Sequence, residues 1–395
     1  MSNSETYEAV VVGGGPAGAT AATELARAGR RVLMLDRSGR IKPCGGAIPP
    51  RLMRDFAIPE SLLAARITSA RMISPAGKRV DMPIDGGYVG MVDREVFDEW
   101  LRERAVANGA ERVNGTFERF ERDPDGQVTL HYRTDDGDEP RTVRARALIG
   151  ADGARSRVGS QAIPGAADIP CVSAYHEILR TPEGAADYEP TRCDVYYQGK
   201  LSPDFYAWVF PHGDTLSIGV GTAERGFSLR GAVKALRAET GLAEAETLRC
   251  EGAPIPLRPL RRWDDGHNVV LAGDAAGVVA PASGEGIYYA MVGGQLAAEA
   301  VAGFCSTGDA RELAQARARF MKAHGRVFQV LGIMQRFWYT NDKRRERFVA
   351  MCRDPDVQHI TWDAYMNKRL VKAKPGAHIR IFFKDLAHLL GIARV

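Results

Sequence analysis

Three glycine-bearing clusters hold the residue types from which a nucleotide site can be built: Gly13-Gly14-Gly15-Pro16-Ala17-Gly18, Gly150-Ala151-Asp152-Gly153 and Gly273-Asp274-Ala275-Ala276. The first follows the apolar run Ala9 to Val12 and precedes a small-residue stretch from Ala19 to Ala28. That is the strand-turn-helix context in which GxGxxG binds a dinucleotide. Gly13 permits the tight turn, Gly15 lets the backbone approach a pyrophosphate, and Gly18 allows close helix-strand packing. Pro16 and Ala17 open a helix whose free N–H groups and dipole favour phosphate. A second strand, Arg31 to Leu35, ends in Asp36, placed to accept hydrogen bonds from a ribose. Arg37 beside it leaves an NADP site open, with its guanidinium on a 2′-phosphate.

Other side chains suit a different task. Tyr206, Trp208 and Phe210 alternate, so in a strand they share one face and would clad an apolar tunnel, or simply pack a sheet on its core. Phe205 is expected on the opposite face. Cys44, in Lys42-Pro43-Cys44-Gly45-Gly46-Ala47, is a candidate acid, or a small residue that permits close backbone approach. His176 and His212 are read as donors or as hydrogen-bonded structural partners, the second reading being preferred. No Ser-His-Asp order, paired-carboxylate spacing or ligand cluster points to hydrolysis or metal chemistry, so no metal is expected.

The elements that must position these residues follow from pattern. A helix is expected from about Asp93 to Asn108, then a β-meander over 113–119, 128–133 and 142–149. Residues 165–256 read mostly as strand, interrupted by a helix at about 228–240. Val269 to Ala272 is a buried strand, Gly286 to Phe304 a small-residue helix, and everything after 308 helical. The expected fold is α/β (α+β), with a discontinuous dinucleotide domain over 1–62, 86–164 and 257–307. A substrate domain over 63–85 and 165–256 and a helical C-terminal region over 308–395 complete it.

At 395 residues, 45% hydrophobic and 26% charged, the chain has the composition of a soluble globular protein. Six scattered cysteines without CxxC spacing suggest reduced thiols. With no eighteen-residue apolar run and no signal-peptide pattern at Met1 to Thr6, a cytoplasmic location is expected. The net charge of +4 is uneven: residues 336–395 hold thirteen Lys or Arg against six Asp or Glu, a net of +7 that leaves −3 for the rest. The clusters at 343–347 and at Lys368, Arg369, Lys372 and Lys374 suit either an anionic membrane surface or a solvated helix face. Ile379, Phe382, Phe383, Leu386, Leu389 and Leu390 form an apolar stripe that would dock on the core or lie in a membrane interface. No motif supports nucleic-acid binding.

The order of the three clusters, with Pro281-x-x-Gly284-x-Gly286-Ile287 after the third, resembles flavoproteins of the p-hydroxybenzoate hydroxylase type. The resemblance implies a Rossmann-like FAD-binding domain with an inserted antiparallel β-sheet substrate domain. In this setting Gly273 and Asp274 meet the ribityl chain, Gly284 to Ile287 face the flavin N1/O2 edge, Asp152 belongs to the site, and Arg94 stands near the ring. A surface helix arginine is the alternative for Arg94. The strings Lys42 to Ala47 and Pro203-x-x-Tyr206-x-Trp208-x-Phe210-Pro211 resemble geranylgeranyl reductases, over roughly residues 7–305. The chlorophyll and bacteriochlorophyll branch fits best, through Ala47-Ile48-Pro49-Pro50, and archaeal membrane-lipid reductases share the strings.

That resemblance implies bound FAD, NADPH as co-substrate without a Rossmann domain of its own, and Cys44, Gly45 and Ala47 beside the flavin. The substrate would be a geranylgeranyl group on a pigment or as its diphosphate, contacted by Tyr206, Trp208 and Phe210. An isolated alkene is a poor hydride acceptor, so hydride from the reduced flavin must be matched by a proton donor. Three reductions convert geranylgeranyl to phytyl, and a uniformly apolar tunnel lets the chain shift between rounds. An aromatic monooxygenase of the same fold and a non-catalytic prenyl carrier are the rival readings. A peripheral place on the photosynthetic or inner membrane stays open.

Overall fold

The computed structural model describes residues 6–368 apart from 38, 40, 135, 136, 138, 183, 185 and 186. The chain forms two compact units, one of residues 1–42, 94–171 and 254–328, the other of 43–93, 172–253 and 329–395. These boundaries differ from the expected ones: segments 43–62 and 86–93 group with the substrate-type sheet, and the described residues from 329 to 368 group there too.

The first unit is a doubly wound sheet. Its parallel strands lie in the order Glu111–Arg122, Val32–Asp36, Thr6–Val12, Pro140–Gly150 and Val269–Leu271. Such strands are buried on both faces and read as continuous apolar runs, as Ala9 to Val12 and Val32 to Leu35 do. Glu111–Arg122 and Pro140–Gly150 outrun the parallel sheet, and Val128–Thr134 pairs antiparallel with both, forming the expected meander. The helix Pro16–Arg27 buries Ala17, Ala19, Ala21 and Ala22. Those small side chains let the helix Ile287–Thr307 approach so closely that a Cβ on Gly294 would lie 2.1 Å from the Ala17 carbonyl oxygen.

The second unit is built on seven strands in the order Thr247–Pro256, Cys171–Arg180, Thr215–Thr222, Ala207–His212, Arg192–Tyr196, Ser69–Ile73 and Arg79–Pro83. The sheet is largely antiparallel as expected, but Arg192–Tyr196 and Ser69–Ile73 pair in parallel. Alternation divides its faces. Ala207, Val209, Leu216, Ile218 and Val220 pack with Val233 and Leu236 of the helix Leu229–Glu239. The neighbouring Trp208, Ser217 and Gly219 therefore point the other way. A small antiparallel sheet joins Ala47–Ile48, Val89–Val92 and Leu63–Ile67. Trp362, Tyr365 and Met366, from the helix Pro355–Asn367, pack against the cluster of Ile67, Ile84, Val89 and Met91, as Phe210 also does. The C-terminal helices Asp342–Met351 and Pro355–Asn367 thus pack within this unit. The apolar stripe expected over 379–390, and Arg369, Lys372 and Lys374, lie outside the described residues.

Candidate active site

In the first unit the three glycine clusters converge. A Cβ on Gly13, whose φ is +105°, would lie 2.3 Å from the Ala151 carbonyl oxygen, joining the first cluster to the second. One on Gly273 would lie 2.7 Å from Ala17 Cβ, joining the third to the first, and Ala272 N donates to Gly150 O at 2.9 Å. One on Gly18 would lie 1.8 Å from Gly13 O, so the turn closes only with glycine there. Gly15 differs: a Cβ there would meet nothing within 4 Å. It is also the N-cap of Pro16–Arg27 with no side-chain cap, so open space lies beside helix N–H groups that a pyrophosphate can take. The cradle fits a dinucleotide.

The carboxylates around it are engaged within the chain. Asp36 accepts from Arg102 at 3.2 Å, and a Cβ on Gly14 would lie 2.6 Å from it. Burial raises its carboxyl above the usual range, against the Gly14 N–H and the Arg102 charge. Arg37 is exposed beside it. Asp152 accepts from Ser156 Oγ at 2.5 Å, Arg157 N at 2.6 Å and Val158 N at 3.2 Å, which fastens the start of the short helix Arg157–Ala162. Arg94 and Asp98 form a buried two-pronged pair at 2.8 and 2.7 Å within the helix Arg94–Ala107, so Arg94 is no exposed surface arginine.

Asp274 stands on a single 3-10 turn, Gly273–Ala276, and accepts from Lys42 Nζ at 2.9 Å. A Cβ on Gly286 would be 3.7 Å from its other oxygen, which places Asp274 against the start of Ile287–Thr307. Gly284 takes a positive φ of +65° three residues before that helix begins at Ile287. Glu285, which sequence reasoning missed, turns its carboxylate back to accept from Tyr288 N at 3.0 Å. One of the helix's first-turn donors is therefore already met by an acid, a local cap whose signal was the Glu three residues before Tyr288.

In the second unit the two strings singled out by sequence meet. A Cβ on Gly45 would lie 3.0 Å from the Phe210 ring, and one on Gly46, at φ +73°, 2.5 Å from His212 Nε2 and from Val92 O. The loop Cys44-Gly45-Gly46 is pressed on the Phe210 to His212 end of the aromatic row so closely that only glycine fits. Cys44 Sγ accepts from Gly46 N at 3.4 Å, and Ala47 begins the short strand that follows. His212 Nδ1 donates to Phe210 O at 3.0 Å, and burial holds the imidazole below its usual pKa, hence neutral near pH 7.

The row itself is continuous. Tyr206 and Trp208 rings are 6.0 Å apart edge to face, and Trp208 and Phe210 6.1 Å apart. Phe205 does not point away as expected. It stacks on Tyr206 at 4.2 Å because the strand begins only at Ala207, and a turn fastened by Phe205 N on Ser202 Oγ precedes it. At the far end Tyr206 meets Tyr197, itself 5.2 Å from Tyr339 and 5.0 Å from Phe348. Burial pushes the Tyr206, Tyr197 and Tyr339 phenols well above their ordinary pKa, so all remain protonated.

Beneath the row lies a feature that local pattern barely signals. Ser217, Gly219 and Gly221 alternate on the same face, and a Cβ on Gly219 would lie 2.3 Å from Trp208, one on Gly221 2.9 Å from Phe205. Trp208 and Phe205 thus pack against a glycine track. Trp208 Nε1 donates to Ser217 Oγ at 3.0 Å, and Ser217 Oγ is 2.8 Å from His176 Nδ1. His176 Nε2–H donates to Glu251 at 3.0 Å, so the imidazole bridges the serine hydroxyl and the carboxylate. Burial raises the Glu251 carboxyl, but the His176 hydrogen bond and the Arg249 charge more than offset it, and it is held below its usual range. His176 is thus a satisfied partner that fixes the Trp208 indole.

Among the described residues no group of His, Cys, Asp or Glu could hold a metal ion, and no helix is long and apolar enough to cross a membrane. Residues 6–173 match the family model for an FAD binding domain. Geranylgeranyl diphosphate reductase of Rhodobacter capsulatus is 58% identical over 386 residues, covering 98% of both chains. The chain belongs to the geranylgeranyl reductase family. A digeranylgeranylglycerophospholipid reductase of Methanopyrus kandleri is more distant, 34% identical over 74% of this chain and 80% of its own. Among solved structures, a geranylgeranyl bacteriochlorophyll reductase-like protein of Thermoplasma acidophilum shares the fold at a TM-score of 0.81, with 22% identity, over 93% of this chain and 98% of that one.

Proposed function

We propose that this geranylgeranyl reductase saturates three double bonds of a geranylgeranyl group, on a bacteriochlorophyll or chlorophyll or as the diphosphate, with NADPH as electron source. The observation that carries this reading is the docking of Cys44-Gly45-Gly46 on the Phe210 end of a continuous aromatic row. Bound FAD, held by Gly13, Gly15, Gly18 and the uncapped helix start at Pro16, supplies hydride once reduced.

The chain's own residues do the rest. Tyr206, Trp208 and Phe210 offer ring faces to an apolar chain without polar atoms that would pin it at one register. The Cys44 thiol is the candidate proton donor, its Sγ oriented by the Gly46 N–H. A peripheral position on the membrane that dissolves the substrate belongs to the same reading. The deciding experiment is anaerobic incubation with NADPH and either geranylgeranyl-bacteriochlorophyllide or geranylgeranyl diphosphate. Product masses should rise in steps of two hydrogens and stop after three steps. Oxygen incorporation under air would make it a monooxygenase, and prenyl binding without NADPH consumption a carrier.

A further inference from the structure

The run Lys343-Arg344-Arg345-Glu346-Arg347 is not one cationic face. Arg345 is buried, its guanidinium donating to the Asp342 carboxylate at 2.6 Å and to the carbonyls of Pro203 and Tyr339. Glu346 is occupied by Lys78 Nζ at 3.2 Å and Ala76 N at 3.1 Å. What remains outward is Lys343, Arg344 and Arg347, the one acid of the run, Glu346, being already paired. The helix before it, Ala314–Trp338, holds five Lys or Arg and not one Asp or Glu in 25 residues.

The last turns of that helix expose apolar side chains among these cations. Ile333 is 68% exposed and Val330 40%, three residues apart on one face, and Phe337 follows four residues on. The Arg344 guanidinium lies 4.4 Å over the Phe337 ring, and Arg336 is exposed beside Ile333. Among the described residues, Arg336, Lys343 and Arg347 form no ion pair. Apolar side chains at the centre of a rim of free cations are what an interfacial helix presents to anionic lipid.

We propose that this face, Val330, Ile333 and Phe337 with Arg336, Lys343, Arg344 and Arg347, docks on an anionic bilayer surface. For its purpose, access to a membrane-dissolved prenyl substrate, it deepens the reading above; its binding test does not depend on that reading. Charge complementarity selects lipid over a second copy. A two-fold contact would bring this acid-free face against itself and set like charges opposite one another.

The test uses the flavin-loaded full chain and co-sedimentation with phosphatidylcholine vesicles, with and without phosphatidylglycerol. Wild type should bind only the anionic vesicles and release in high salt. Val330→Glu with Ile333→Glu, and separately Lys343→Glu with Arg347→Glu, should each lower the bound-to-free ratio at least about ten-fold. Retained circular dichroism and flavin absorbance show that the variants fold. Both variants should still reduce geranylgeranyl diphosphate in lipid-free solution at the wild-type rate. Wild-type-like sedimentation of the variants would overturn the docking face, as would a shift from dimer to monomer with unchanged vesicle binding. A wild type that binds vesicles but reduces nothing would sink the proposed activity and leave the docking face standing.

Discussion

At the scale of single residues, the proposed chemistry assigns proton donation to Cys44, while two histidines shape its surroundings. Replacing Cys44 by Ala should leave the protein yellow and lower alkene reduction about 100-fold, the contribution of a positioned acid. A wild-type rate with bound flavin would reduce Cys44 to a small residue beside Gly45. In the sequence His176 was legible only as a donor or a structural partner, the second being preferred. Its role needs Ser217 and Glu251, which lie 41 and 75 residues away in sequence. His176→Leu takes one hydrogen-bond partner each from the Ser217 hydroxyl and the Glu251 carboxylate, which should cost about 1–3 kcal/mol in urea unfolding. His212 makes a pH prediction. Its folded pKa lies below the unfolded value of about 6.5. Its contribution to stability is therefore complete above that value and lost as pH falls through the folded pKa. Melting temperature should fall on acidification below about pH 6.5, and less steeply in His212→Asn. Parallel melting curves for the two proteins would refute this.

At the scale of elements, glycine decides how closely backbone and rings approach. Gly18→Ala would place a Cβ 1.8 Å from Gly13 O, so the purified protein should lose its flavin absorbance while the second unit's β-sheet signal persists. Gly219→Ala would place one 2.3 Å from Trp208 and must lift the indole from the sheet. Overpacking of that kind should cost about 1–3 kcal/mol. If the row guides the chain, Gly219→Ala should also accumulate partly reduced products. An unchanged product distribution would separate the row from substrate guidance. Local patterns were a good guide to these elements: the helices Arg94–Ala107, Leu229–Glu239 and Ile287–Thr307 lie within a few residues of where start, stop and composition signals put them. Phe205 misled because alternation holds only inside a strand, and Ala207–His212 starts two residues later. The cationic run at 343–347 misled because charge alone does not say which guanidinium finds carbonyls to pair with, as Arg345 does.

At the scale of the whole molecule, the chain crosses between its two units several times, and that crossing is what sequence pattern reads least well. Reduction of a prenyl chain in separate rounds should release intermediates two and four hydrogens heavier than the substrate before the final product, seen by sampling early time points. Direct appearance of the six-hydrogen product alone would mean that the chain is never released between rounds. The sequence by itself determined the kind of fold, the nucleotide cradle and the family strings, because tight turns and close backbone approach demand glycine and leave it at fixed spacings. It could not determine which distant segments press together. Only the tertiary structure decided that Cys44-Gly45-Gly46 sits on Phe210 and His212, that Ser217 and His176 hold Trp208, and that the C-terminal helices complete the second unit. Those contacts depend on strand order and side-chain volume across long stretches of chain, and no local pattern encodes them.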